Sequence, residues 1–286
     1  MSKEVSLNLR EFDMSQVGAN KNLVFIGKKG TGKSSLVLDY LYHNRDIPIV
    51  TVISPTDEFN LTYKPHVPDI LIHDEYSPEL VEKFLKRQMN ITKHYKQDPK
   101  YKNVDPRGVL ILDDCLFDAK AWTGDRSIKW IFMNGRHANI TMIVTLQYVM
   151  GLTTELRANA DYMFICKEPK LSNRKKLYEQ YCGIFPSFEM FNQVLMATTN
   201  NYGCLVIDNT SISDKLEDQV FWYKAEIHHS GFRLCYDVLW ENQEKNKRSV
   251  DDSSESSEED LDPMKRFSMQ KNRLNLNVNK LNIGDF

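Results

Sequence analysis

The run Gly27-Lys28-Lys29-Gly30-Thr31-Gly32-Lys33-Ser34 constrains this chain more than any other stretch. It fits the spacing G-x-x-x-x-G-K-[ST], in which glycines let successive backbone N–H groups turn toward a polyphosphate. The flanks supply the context that such a loop needs. Asn22-Leu-Val-Phe-Ile26 reads as a short buried strand, and Ser35-Leu-Val-Leu-Asp-Tyr-Leu-Tyr42 as a helix whose positive end faces the loop. In that setting Lys33 reaches the β- and γ-phosphates and the Ser34 hydroxyl holds Mg²⁺, so ATP and Mg²⁺ are the expected ligands of Gly27 through Ser34.

Bulk properties narrow the class. At 286 residues an α/β core is well buried, and 37 Lys and Arg against 39 Asp and Glu create no global basic field. A nucleic-acid contact must therefore come from a local patch or from repetition in an assembly. No apolar run approaches the ~18 residues of a membrane helix, and Met-Ser-Lys-Glu-Val-Ser lacks the apolar core of a signal peptide. The 5 cysteines are scattered with no C-x-x-C pair, as for reduced thiols.

From residue 20 to about 240, strand-like apolar runs alternate with amphipathic segments, the pattern of an α/β domain. Strands are expected at 22–26, 48–53, 69–73, 108–113, 140–146, 161–166 and 203–208, with an edge strand from Phe221. Helices are expected at 35–42, 78–96, 126–137, 172–181 and 187–197. Residues 1–19 read as an N-terminal extension. Residues 241–286 carry the acidic run Asp251-Asp-Ser-Ser-Glu-Ser-Ser-Glu-Glu-Asp260 and Asn-rich sequence, and are expected to be a mostly disordered tail.

Three further elements belong with the loop. Gly108-Val-Leu-Ile-Leu-Asp113-Asp114 is a strand ending in carboxylates. Placed beside the loop strand, it delivers Asp113 to the Mg²⁺ shell and lets Asp114 act as general base on the attacking water. Thr145-Leu-Gln147 ends the next strand, where Gln147 senses the γ-phosphate or orients the water. Asn134-Gly-Arg136-His137 offers Arg136 as an arginine finger acting from a neighbouring subunit, with Arg157 as second candidate. His137 and His228-His229 lack ligand partners at a recognisable spacing, so no metal other than Mg²⁺ is expected.

Together, GKKGTGKS, LILDD, NGRHANITMIVTLQ and RANADYMFICKE resemble the DNA-packaging ATPases of the nucleocytoplasmic large DNA viruses, in the FtsK/HerA branch of P-loop motors. Many FtsK/HerA members carry Glu where this chain has Asp114, a subfamily mark. The resemblance covers about residues 20–208. It implies a RecA-like P-loop NTPase fold, a three-layer α/β sandwich with a mostly parallel sheet. It also implies a homo-oligomeric ring, pentamer or hexamer, that drives double-stranded genomic DNA into a preformed virion shell. Its partners would be the DNA backbone and capsid, portal or membrane components, without stable membrane insertion, at the viral assembly site in host cytoplasm and in the virion. Cationic stretches for the DNA are Lys86, Arg87, Lys93, Lys96, Lys100 and Lys102, or Arg174, Lys175 and Lys176. The alternatives are another FtsK/HerA-type DNA translocase, or a nucleotide-binding structural virion protein with little turnover.

Overall fold

Nine strands form one mixed sheet, and the computed structural model describes residues 8–115, 119–228 and 231–254. The strands are β1 (Arg10–Glu11), β2 (Asn22–Ile26), β3 (Val50–Ile53), β4 (Ile72–His73), β5 (Gly108–Leu112), β6 (Ile140–Leu146), β7 (Tyr162–Ile165), β8 (Cys204–Asp208) and β9 (Val220–Tyr223). The helices are α1 (Lys33–His43), α2 (Asp57–Asn60), α3 (Pro78–Gln97), α4 (Ala119–Gly124), α5 (Arg126–Asn134), α6 (Thr154–Ala158), α7 (Leu171–Tyr181), α8 (Phe188–Thr198) and α9 (Asp237–Ser254). Their order across the sheet is β1-β9-β8-β7-β2-β6-β5-β3-β4, with β7/β8 and β8/β9 antiparallel and the remaining pairs parallel.

β2, β5 and β6 are buried along their whole length because both faces of the sheet are covered. Val24 and Ile26 point into one core with Val81, Ile128, Ile131, Leu156, Leu177 and Phe191 from α3, α5, α6, α7 and α8. Leu23 and Phe25 point into the other with Leu36, Val37, Tyr40 and Leu41 of α1 and with Met14, Val67 and Leu234. Each such side chain removed from water contributes about 1.5–3 kcal/mol before entropy is set against it. Local signals fix the helix starts. Ser77 accepts from the Leu80 N–H ahead of Pro78, Asp125 from the Ser127 and Ile128 N–H groups, and Ser187 from the Met190 N–H.

The sheet departs from the sequence reading in instructive places. β5 is not beside β2: β6 lies between them, paired in parallel with both. β9 is not the edge, because Arg10–Glu11 of the expected extension adds β1 outside it, and Phe12 packs edge-on against Tyr162, Phe164, Phe221 and Tyr223. β4 shrinks to Ile72–His73 because Asp69–Leu71 forms a 3-10 turn behind Pro68. The helix at 126–137 ends at Asn134, where a 3-10 turn over Gly135–Ala138 closes on Asn139 in the left-handed region (φ 55°).

The chain divides into two compact units, Met1–Tyr236 and Asp237–Phe286. Within the second, α9 occupies the first part of the segment expected to be disordered, and 255–286 lie outside the described residues. Among the described residues no helix is long and apolar enough to cross a membrane.

After β9 the chain doubles back over α1. The Tyr223 hydroxyl and the Glu226 N–H both donate to Asp39 Oδ2, His66 Nδ1 lies 2.8 Å from the Phe232 carbonyl, and the Leu234 N–H donates to the His66 carbonyl.

Candidate active site

The loop between β2 and α1 has the backbone that its sequence demands. Gly30 (φ 77°) and Gly32 (φ 96°) occupy the left-handed region, where a side chain is strained. At Gly27 a Cβ would come within 2.6 Å of Cys166 Cβ and Thr31 Oγ1, so only glycine lets the loop pass against β7. Lys33 is buried, and its ammonium donates to the carbonyls of Gly27 (2.6 Å) and Lys28 (3.1 Å), spanning the loop. Burial pushes its pKa down, opposed by Cys166, Asp113 and Asp114. Lys28 pairs with Glu168 at 3.2 Å, and Ser34 sits half-buried in the first turn of α1. Thr31 donates to the Lys28 carbonyl and the Lys29 side chain is exposed.

The carboxylates assemble across the end of the sheet. The Thr145 hydroxyl donates to Asp113 Oδ1 (2.6 Å) and accepts from the Asp114 N–H (3.0 Å), locking the end of β5 to β6. Asp114 has a left-handed backbone (φ 55°), tolerable for Asp, and its Oδ1 accepts from Gln147 Nε2. Lys33, Asp113, Asp114 and Gln147 therefore gather at the C-terminal edge of the parallel strands, where ligands bind in open α/β sheets. One strand separates the phosphate loop from the acids, which leaves the end of β6 free to place Gln147 between the two.

Asp113 is 6% exposed, and burial pushes its carboxyl up, against the hydrogen bond from Thr145. Just past the adjoining end of β3, whose Ile53 carbonyl accepts from the Asp113 N–H, Ser54 Oγ, Asp57 Oδ2 and the Tyr63 hydroxyl are buried without a protein hydrogen-bond partner. This oxygen-rich corner fits hydrated Mg²⁺, a hard cation that keeps several waters and takes one or two carboxylates. Without the cation the Asp113 charge destabilises the fold. Because its folded pKa lies above the unfolded 3.8, the penalty grows as pH rises through that range. Asp113→Asn in the metal- and nucleotide-free protein is expected to raise Tm at pH 7 by about 2–4 °C, for a gain on the order of 1 kcal/mol. The gain shrinks as pH falls toward 3.8 and is lost below it, where the carboxyl is protonated in both states. Thermal melts across pH check this, and a variant no more stable than wild type at pH 7 contradicts it.

The two arginines lie elsewhere. Arg136 is exposed in the turn before β6, at the strand's N-terminal end, with no hydrogen bond or ion pair among the described residues. The 7 residues of β6 separate it from Gln147 by about 20 Å. It cannot reach its own subunit's loop. Arg157 donates to the Leu152 carbonyl, Thr154 Oγ1 and Gln180 Oε1 and lies over the Tyr181 ring, so its guanidinium is engaged within its own chain.

Sequence reasoning missed Thr145, Tyr63, Glu168 and Tyr202. Thr145 and Glu168 sit at or just past strand ends, the position that singled out Gln147, and carried that signal. Tyr63 and Tyr202 lie in irregular loops and carried none. Tyr202 is 66% exposed with φ 63°, beside the loop where a Gly32 Cβ would lie 3.8 Å from its ring.

Residues 10–226 match the family described as poxvirus A32 protein. An uncharacterised protein of Acanthamoeba polyphaga mimivirus is 43% identical over 225 residues, 78% of this chain and 79% of that one. A protein of Invertebrate iridescent virus 6 is 37% identical over 222 residues, 76% and 80% of the two chains. Among solved structures, the genome packaging NTPase B204 of Sulfolobus turreted icosahedral virus 2 with ATPγS has a TM-score of 0.51 at 18% identity, covering 74% of this chain and 100% of that one. That likeness is one of fold. By the extent of the family match and the identity to its relatives, this chain belongs to the poxvirus A32 protein family.

Proposed function

We propose that the protein is an ATP-hydrolysing motor that translocates double-stranded viral DNA into the virion during assembly. The observation that carries the reading is the convergence of Lys33, Asp113, Asp114 and Gln147 on one sheet edge, where Thr145 ties Asp113 to Asp114 and Gln147 holds Asp114. Family membership and a fold shared with a genome packaging NTPase support the DNA-packaging setting.

Loop N–H groups and Lys33 hold the phosphates, while Ser34 and Asp113 hold Mg²⁺, which supplies charge neutralisation on the phosphoryl oxygens. Asp114, held by Gln147, takes the proton of the attacking water, and Gln147 reports the γ-phosphate to β6. The acids lie on the β5/β6 side, so the nucleoside leaves toward β7 and β8, where Tyr202 offers an exposed ring. Long double-stranded DNA is expected to raise ATP turnover severalfold, and a rate indifferent to DNA favours a structural nucleotide-binding role instead.

Arg136, on the edge away from its own nucleotide, serves a neighbouring subunit in a homo-oligomeric ring. Lys96 stands beside it, 3.5 Å from the His137 carbonyl. Arg136→Ala chains mixed with wild type are expected to depress activity below the wild-type fraction, because each mixed ring carries defective interfaces. Activity strictly proportional to that fraction rules out the trans role.

A further inference from the structure

Away from the phosphate loop, three ligand atoms of Asp39, His43 and His228 lie within 4.8 Å of one another. Asp39 and His43 are one turn apart on the same face of α1, and His228 arrives from the segment after β9. Asp39 is fully buried, and a carboxylate there needs compensation, yet among the described residues it pairs with no Lys or Arg. Its two oxygens are divided. Oδ2 receives the Tyr223 hydroxyl and the Glu226 N–H, while Oδ1 faces His228 Nε2 at 2.7 Å and His43 Nε2 at 3.5 Å.

We propose that Asp39, His43 and His228 form a divalent transition-metal site, suited to Zn²⁺, with water as the fourth ligand. Zinc bonds of about 2.0–2.2 Å to N and O in a tetrahedron place ligand atoms roughly 3.3 Å apart, against 3.5 Å from Asp39 Oδ1 to His43 Nε2, 2.7 Å to His228 Nε2, and all three within 4.8 Å. Relative to Asp39 Oδ1, His228 has to withdraw by about half an ångström. The Tyr223 hydroxyl and Glu226 N–H on Oδ2 are the outer hydrogen bonds that orient a ligating carboxylate. The His228 ring is already fixed, stacked on Tyr42 with centroids 3.5 Å apart. His43 and His228 keep 25% and 11% of their side chains exposed, a path for the ion and the fourth ligand. The bound ion fastens the chain after β9 to α1, the helix that begins in the phosphate loop. The site would add a metal to the Mg²⁺ expected from the sequence, and it is independent of the motor reading. Its ligands escaped the sequence because His228 lies 189 positions from Asp39.

Cobalt titration of the untagged, EDTA-treated full chain without nucleotide tests this. One equivalent of Co²⁺ should bind with the visible absorption of a four-coordinate ion and be displaced by Zn²⁺. His43→Ala and His228→Ala should each weaken binding at least about tenfold, and Tyr223→Phe by about tenfold. Lys33→Ala, which disables the phosphate loop, should bind as wild type does. Absence of saturable Co²⁺ or Zn²⁺ binding in the wild type overturns the site, as does undiminished binding in His228→Ala. If the histidine variants do not fold, X-ray absorption of the zinc-loaded wild type decides: an all N/O shell containing imidazole supports the site, and sulfur ligation refutes it.

Discussion

Lys33→Ala is expected to lower ATP turnover by about three orders of magnitude and to leave the fold intact. The ammonium is held by the Gly27 and Lys28 carbonyls at the mouth of the loop, so its charge stands in place before the phosphates arrive. Preorganised charge aimed at developing negative charge is typically worth 10²–10³ in turnover for a single donor, and on the proposed role the phosphate contact would be lost as well. Stability should not suffer. Burial pushes the Lys33 ammonium down, which means that charging it in the folded state is already disfavoured, so its removal relieves desolvation. Phosphate release at saturating ATP, paired with a thermal melt, checks both halves. A kcat within tenfold of wild type contradicts the role given to Lys33.

Asp114→Asn is expected to lower kcat by about 10²-fold or more while nucleotide binding persists. The substitution keeps the shape of the side chain, and its carbonyl oxygen can still accept from Gln147 Nε2. Thr145 still accepts from the backbone N–H of residue 114. What disappears is a group able to take a proton from water, the contribution of a general base. ATP-analogue affinity within a few-fold of wild type, alongside collapsed turnover, is the expected pattern. Wild-type turnover in Asp114→Asn removes the carboxylate from the reaction and returns the water to some other base.

The site was legible where the signal is local. The phosphate loop, the acids after β5 and Gln147 after β6 are strand-end residues, and β2 and β6 coincide with the apolar runs that announced them. Continuous apolar runs also foretold a sheet covered on both faces. Lateral strand order was not legible, since nothing in LILDD says that β6, not β2, is its neighbour. The pairing of Arg10–Glu11 with β9 joins residues more than two hundred positions apart, and two residues have no periodicity to read. Arg136 was legible as an unusual arginine, but its remoteness from Gln147 follows from the direction of β6, which only the assembled sheet reveals. The Asp39 cluster was hidden for the same reason: its helix pair and its distant histidine meet only through the return of the chain over α1.

The most direct test of a DNA-translocating motor is displacement of a third strand annealed to a long linear duplex. Wild-type protein with ATP and Mg²⁺ should release the third strand after a lag that lengthens with its distance from the duplex end, and Lys33→Ala should release none. ATP hydrolysis without displacement at any distance, or displacement without a distance-dependent lag, contradicts directional movement along DNA.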